Sequence, residues 1–155
     1  MTGFEPLAMN HDWSRAADAD WAEVLLEIPL FSKLGKRQRR RVARKAQFFE
    51  FGPGDWVVST GEPADGFYVI LGGEAKVVGS AASRTLGVGD YFGEMALLDG
   101  KPRSAAVVAT RELHVMRLGR LPFLRLLEQH GGLALTIMAE VGARVRRAEH
   151  ALWAA

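Results

Sequence analysis

The segment FGEMALLDGKPRSA, Phe92 to Ala105, sets Gly93 and Glu94 ahead of a short apolar run, with a lone arginine, Arg103, nine residues after the carboxylate. Taken as a single helical turn entered from the glycine-rich GVGDYFG, residues 93–98 begin with unpaired backbone N–H groups. Such groups favour an anion, and Gly93 lets a ligand approach the backbone closely. Glu94 at the same mouth either stabilises the helix start or offers two acceptor oxygens to a ribose hydroxyl. Arg103 keeps its proton and presents a planar fork that fits phosphate, and Ser104 adds a hydroxyl donor. An arginine opening the apolar strand AAVVA needs a partner if it is buried. That partner is Glu94, another carboxylate of the chain, or a ligand phosphate. The set amounts to an acceptor for sugar hydroxyls, donors for one phosphate and apolar strands for a base.

These residues need a frame. Residues 1–17 are polar and lack periodicity, a flexible N-terminal segment ahead of one domain over 18–155. In ADWAEVLLEIPLF, Trp21, Val24, Leu25 and Ile28 fall at helical spacing, and Pro29 ends the helix. Between Gly52 and Gly100 lie 11 of the 17 glycines, separating short runs such as DWVVST, GFYVIL and EAKVV. SAAVVAT and ELHVMRL follow. Short strands between turn residues predict an all-β sandwich or barrel. GPGD and GEPADG are its turns, with Pro fixing φ and Gly supplying positive φ. After Leu118 the pattern is helical again. Phe123, Leu124, Leu126 and Leu127 share a face, Gly131 and Gly132 break the helix, and Leu133, Ile137, Met138, Val141, Val145 and Ala148 form one stripe.

The 155-residue chain is 48% apolar and 25% charged, enough for one real core. It has no cysteine, which excludes disulfides, a thiol nucleophile and Cys-based metal sites and suits a cytoplasmic protein. No run of apolar residues approaches membrane-spanning length, and the first twenty residues do not read as a signal peptide. The four histidines are scattered and pair in no metal-ligand spacing. His114, alternating with apolar neighbours, reads as a surface-facing strand residue. GVGDYFG misses the dinucleotide fingerprint by a residue, and no catalytic motif is present, so an enzyme is not expected. The net charge of +2 is too small to imply a nucleic-acid partner by itself. KLGKRQRRRVARK nonetheless packs eight cations, Lys33 to Lys45, into thirteen residues. It reads as a solvated helix face whose Val42 and Ala46 touch the core. The alternative is a polyanion-binding patch. The tryptophans read as packing residues.

Together, GPGDWVVSTGEPADGFYVILGGEAKV, LGVGDYFGEMALLDGKPRSAAVVA and the flanking helices resemble the cyclic-nucleotide-binding domain family over roughly residues 22–150. The resemblance implies an α+β, mainly β fold: a double-stranded β-helix, or jelly-roll-like β-roll, flanked by N-terminal and C-terminal helices. FGEMALLDGKPRSA corresponds to the family's phosphate-binding cassette. By that resemblance Phe92, Gly93, Glu94, Met95, Ala96, Arg103, Ser104 and Ala105 are the ligand-binding residues. The Gly93–Ala96 amides and Arg103 hold the phosphate, Glu94 takes the ribose hydroxyl, and Ser104 and Ala105 touch phosphate and base. Gly54, Gly61, Gly73 and Gly89 match its strand and turn glycines.

The family also caps the base with its C-terminal helix. A gapless count places Arg144 at a lid arginine, although Arg146 and Arg147 are equally available and a solvated role is open; Trp153 is a lesser lid candidate. The implied ligand is cAMP in preference to cGMP, with no cofactor or metal, a protein effector as partner and a homodimer open. Gly131, Gly132 and Gly142 are the points where the C-terminal helices would yield on binding. The start at Met1 favours a stand-alone sensor over a regulatory domain cut from a longer chain. The rival expectations are an adaptor for nucleic acid or protein built on the same fold, and a β-roll that keeps the cassette without binding nucleotide.

Overall fold

The computed structural model describes residues 19–79 and 83–154. The 1–17 segment expected to be flexible, with Trp13, lies outside the described residues. Two N-terminal helices, α1 (Ala19–Leu26) and α2 (Lys36–Lys45), precede eight strands. The strands are β1 (Gln47–Phe51), β2 (Trp56–Val58), β3 (Phe67–Gly72), β4 (Ala75–Val78), β5 (Arg84–Leu86), β6 (Tyr91–Phe92), β7 (Ala106–Ala109) and β8 (Leu113–Leu118). One short helix, α3 (Glu94–Asp99), interrupts them between β6 and β7, and α4 (Arg120–Gln129) and α5 (Gly131–Ala154) follow. The strands form two antiparallel four-stranded sheets, ordered β1-β8-β3-β6 and β2-β7-β4-β5. This is the β-roll with flanking helices that the sequence led us to expect.

Why GFYVIL is one unbroken apolar run follows from its place. β3 is buried at all six positions because it is covered on both faces. Phe67, Val69 and Leu71 face the helical layer and pack with Leu25, Ile28, Phe31, Phe123, Leu133 and Ile137. Tyr68 and Ile70 face the roll interior with Val58, Leu86, Phe92, Val107 and Val115. Each fully buried Phe or Leu contributes about 1.5–3 kcal/mol. The Phe67 ring also stacks on Phe123 at 4.6 Å, locking β3 to α4. Glycine is required where backbones nearly touch. At Gly73 φ is +91°, and a Cβ would stand 1.9 Å from the Glu112 carbonyl oxygen. The Asp-containing turns close by side-chain acceptance: Asp55 Oδ2 accepts from the Gly52 N–H and Asp90 Oδ2 from the Gly87 N–H, each at 2.8 Å.

The basic segment forms α2 and divides cleanly. Arg39, Val42, Ala43 and Ala46 are buried, while Lys36, Arg37, Arg40, Arg41, Arg44 and Lys45 are exposed. Arg39 is structural. Its Nε donates to the Ala22 carbonyl at 3.0 Å and its Nη1 to that of Leu34 at 2.5 Å, tying α1 and the following turn to α2.

Three expectations are corrected. His114 is not surface-facing but 1% exposed. β8, like β3, is covered on both faces, so alternation within it cannot mark a wet side. Burial pushes the His114 imidazole down to about 4. The α4 helix stops at His130, with Gly131 and Gly132 opening α5 rather than forming the gap. The stripe on α5 is buried only at its start. Leu133 and Ile137 are buried, but Met138 is 63% and Val145 46% exposed, and Ala148 is exposed too. A 24-residue helix runs about 36 Å, whereas the six-residue strands beside it run about 20 Å.

Candidate functional site

Gly93 makes the turn into α3 with φ +94° and ψ −4°. That left-handed backbone is strained for other residues. A Cβ here would also stand 2.7 Å from Arg103 Nη1 and 2.8 Å from the Gly66 carbonyl oxygen. Arg103 therefore lies directly against the start of α3. The helix lasts six residues and is closed by Gly100, φ +71°, whose N–H donates to the Ala96 carbonyl at 3.0 Å.

Arg103 is 6% exposed. Its Nη2 donates to Asp65 Oδ1 at 2.7 Å and to the Gly66 carbonyl at 3.0 Å. Its guanidinium lies 5.7 Å from the Tyr68 ring centroid. The buried arginine thus has a carboxylate partner within the chain, and it is Asp65 rather than Glu94. Asp65 also accepts from the Tyr68 hydroxyl at 2.8 Å and from Arg117 Nη1 at 3.0 Å. Burial raises the Asp65 pKa, but hydrogen bonds from Arg103 and Tyr68 and the charges of Arg103 and Arg117 hold it below 3.8. Burial and the Asp65 bond push the Tyr68 hydroxyl up to about 12. Among the described residues, Nη1 and Nε of Arg103 make no hydrogen bond. These donors remain for an anion lying on the α3 amides.

Glu94 is 1% exposed. Its Oε1 accepts from Arg144 Nη1 at 2.5 Å, while Oε2 has no partner among the described residues. A buried carboxylate oxygen without a donor is costly, and a ligand hydroxyl would satisfy it. Arg144 is accordingly not a solvated helix residue. Its side chain is 21% exposed and bridges α5 to α3, with Glu140 Oε1 3.8 Å from its Nε.

The remaining expected residues fall around this pair. Ala96 is buried, Ala105 half-buried, and Met95 and Ser104 exposed. The Phe92 side chain lies in the roll interior, stacked on Tyr68 at 5.0 Å, so only its backbone faces the cassette. Trp153 stands 85% in solvent. A cleft of about 440 Å³ adjoins Arg144 and is walled by Arg84, Leu86, Tyr91, Thr136 and Glu140. Burial and the Glu94 and Glu140 charges push the Tyr91 hydroxyl up to about 12. Asp65, Tyr68 and Arg84 were not singled out from the sequence. Asp65 lay in plain view within GEPADG, where it read only as turn chemistry.

The family profile described as "Cyclic nucleotide-binding domain" matches residues 48–130. The chain is 41% identical over 106 residues, 66% of its length, to a cAMP-dependent protein kinase regulatory subunit of Emericella nidulans, and spans 26% of that subunit. Among solved structures it is similar to cAMP-bound PfPKA-R (141-441), with a TM-score of 0.77 and 26% identity, covering 86% of this chain and 46% of that one. It is also similar to the regulatory subunit of a cAMP-independent protein kinase A from Trypanosoma brucei, with a TM-score of 0.67 and 27% identity, covering 79% and 46%. The cassette geometry and these matches agree: the chain belongs to the cyclic nucleotide-binding domain family.

Proposed function

We propose that this chain is a non-catalytic receptor for a purine cyclic nucleotide, cAMP in preference to cGMP, that regulates a protein effector. The single observation that carries the reading is the pairing of a buried Arg103, held against the amide-bearing start of α3, with a buried Glu94 whose Oε2 lacks a donor among the described residues. Nη1 and Nε of Arg103 and the α3 amides take the cyclic phosphate, and Glu94 takes the ribose hydroxyl. Ser104 and Ala105 flank the phosphate and base. Arg144, which donates to Glu94 Oε1, is the residue of α5 that closes over the base in this reading. The cAMP-bound and kinase-regulatory relatives support the choice of nucleotide and of an effector.

Regulation follows if the nucleotide favours one placement of α4 and α5 over another, since a ligand shifts an equilibrium only by its differential affinity. Gly131, Gly132 and Gly142 are the yielding points in this reading. The site would act in the cytoplasm, and no described helix is long and apolar enough to cross a membrane. Calorimetry with cAMP and cGMP on the wild type and on Arg103→Ala tests it. Equal heats for wild type and variant overturn the phosphate assignment, and equal affinities for the two nucleotides overturn the preference for cAMP.

One observation favours a second role. The six exposed cations of α2 have only one acidic partner among the described residues, Glu23, 3.8 Å from Lys36. An adaptor binding a polyanion there would lose affinity steeply with salt and would be indifferent to Arg103→Ala.

A further inference from the structure

Arg103 is buried with a carboxylate, Asp65, at 2.7 Å, so the guanidinium that would meet the phosphate is already half of an ion pair. Glu94 is matched by Arg144 in the same way. Matched pairs carry no net charge, whereas a cyclic phosphate diester is an anion. The cation that tips this balance lies behind Arg103. Arg117 of β8 stands opposite Gln47 of β1 on one side and Tyr68 of β3 on the other. Directly opposed residues share a face of the sheet, here the roll-interior face that also holds Tyr68 and Phe49.

The Arg117 side chain is fixed at both ends. Its Nη1 donates to Asp65 Oδ2 at 3.0 Å. Its Nε donates to Gln47 Oε1 at 3.1 Å, and Nη2 donates to the same oxygen. The guanidinium carbon stands 4.9 Å from the centroid of the Phe49 ring. The stem lies along the Gly66 backbone, where a Cβ would come within 2.5 Å of Arg117 Cγ. Arg117 therefore touches both residues that hold Arg103 from behind, Asp65 and Gly66. Gln47 and Phe49 are neutral, and Asp65 is the one carboxylate in ion-pair range of Arg117 among the described residues. A single carboxylate is shared by two guanidinium groups, which leaves the cluster net positive.

We propose that Arg117 is a positioning residue for nucleotide binding: by sharing Asp65 it leaves Arg103 incompletely neutralised, and so supplies the phosphate's countercharge without touching the ligand. The proposal rests on the cyclic-nucleotide reading above. It separates from a purely structural clamp by the sign of one result. Without Arg117, Asp65 neutralises Arg103 alone and the site loses its net charge. Removing the Asp65 charge as well gives that positive charge back, whereas a clamp that has lost both of its members only loosens further.

The test measures dissociation constants of the purified chain for cAMP by titration calorimetry, each protein with its ligand-free thermal midpoint. Wild type is compared with Arg117→Gln, Arg117→Lys, Asp65→Asn and the double variant Asp65→Asn, Arg117→Gln. The expected result is that Arg117→Gln weakens cAMP about tenfold, while Arg117→Lys, which keeps the charge, stays within about threefold of wild type. In the double variant the asparagine oxygen can still accept from Arg103, and affinity should return to within about threefold of wild type even where the melt does not recover. Asp65→Asn alone should bind at least as tightly as wild type. Arg117→Gln within about twofold of wild type, or a double variant no tighter than Arg117→Gln, overturns the countercharge role and leaves the receptor reading standing. Should Arg117→Gln fail to fold, Asp65→Asn decides alone, and binding more than about threefold weaker than wild type overturns the role in the same way. A wild type that does not bind cAMP overturns the receptor reading and this inference with it.

Discussion

Replacing Arg103 by alanine separates a ligand role from a structural one, because the two have different magnitudes. In the empty protein the side chain contributes two hydrogen bonds from Nη2, to Asp65 and to the Gly66 carbonyl. Asp65 is half-exposed and keeps Tyr68 and Arg117 as donors after the loss. The Coulomb part of the Asp65 pair is therefore discounted by solvent, and the variant should lose only about 1–2 kcal/mol of stability. With nucleotide bound the balance changes. Nη1 and Nε, which no described residue engages, would be the donors to the phosphate, and their loss leaves an anion buried beside amides alone. Removing one partner of a buried, hydrogen-bonded charge pair costs about 2–5 kcal/mol, a loss of roughly 30-fold to several thousandfold in affinity. Titration calorimetry with cAMP, beside a ligand-free thermal melt, reads both numbers. An Arg103→Ala protein that melts a few degrees low yet binds cAMP within threefold of wild type would refute the phosphate assignment and leave Arg103 as a structural pair for Asp65.

Three further outcomes follow from the same geometry. Gly93→Ala forces a Cβ into left-handed backbone at 2.7 Å from Arg103 Nη1; a cost of about 1–3 kcal/mol is expected, read as a thermal midpoint several degrees lower together with weaker nucleotide binding, and an unchanged melt contradicts it. Glu94→Gln removes the charged acceptor, so wild type should bind cAMP roughly ten- to a hundredfold more tightly than 2′-deoxy-cAMP, whereas the variant should bind the two within a few-fold; an equal preference in both proteins refutes the ribose role. The His114 imidazole, pushed to about 4 in the fold against 6.5 unfolded, leaves the unfolded chain holding the extra proton between those values. Stability is then complete above pH 6.5 and falls by roughly 1.4 kcal/mol per pH unit towards pH 4. Denaturant titrations across that range should show the slope in wild type and a shallower one in His114→Gln; parallel slopes count against it.

How far the sequence could be read depended on whether the relevant neighbours were local. The cassette is legible because Gly93, Glu94 and Arg103 act within twelve residues, and because the start of a short helix has the same unpaired donors wherever it occurs. The roll is legible from glycine-punctuated strands, since a turn with φ near +90° at Gly54, Gly61 or Gly89 leaves a compositional trace. The partner of Arg103 leaves none. Asp65 is 38 residues away, brought in by the turn before β3, and no spacing rule connects GEPADG to PRSA. His114 misled for a related reason. Period-2 alternation reports a wet face only when one exists, and β8 lies between β1 and β3 with both of its faces covered. Arg84 sits in a three-residue strand too short to show which face it occupies until the β4 register is known.

The coupling proposed here has two physical links, and they respond differently to a ligand. Leu97 of α3 is 1% exposed and packs in the helical-layer cluster with Phe31, Phe123, Leu133 and Ile137, so the cassette and the helices share one apolar contact surface. An apolar contact of this kind is indifferent to whether phosphate is present and changes only if α3 moves as a body. The Glu94–Arg144 bond is polar, and a ribose hydroxyl addresses the same carboxylate directly. Oε1 holds Arg144 while Oε2 has no donor among the described residues, so the hydroxyl can be accepted without first expelling the arginine. A bound nucleotide would then place Glu94 between two donors and α5 over the base, which strengthens the polar link while Arg103 draws α3 toward the phosphate. Both links therefore favour the same placement of α5. The energy available to drive the helices is the difference in those contacts between the two placements, not the total affinity of the nucleotide.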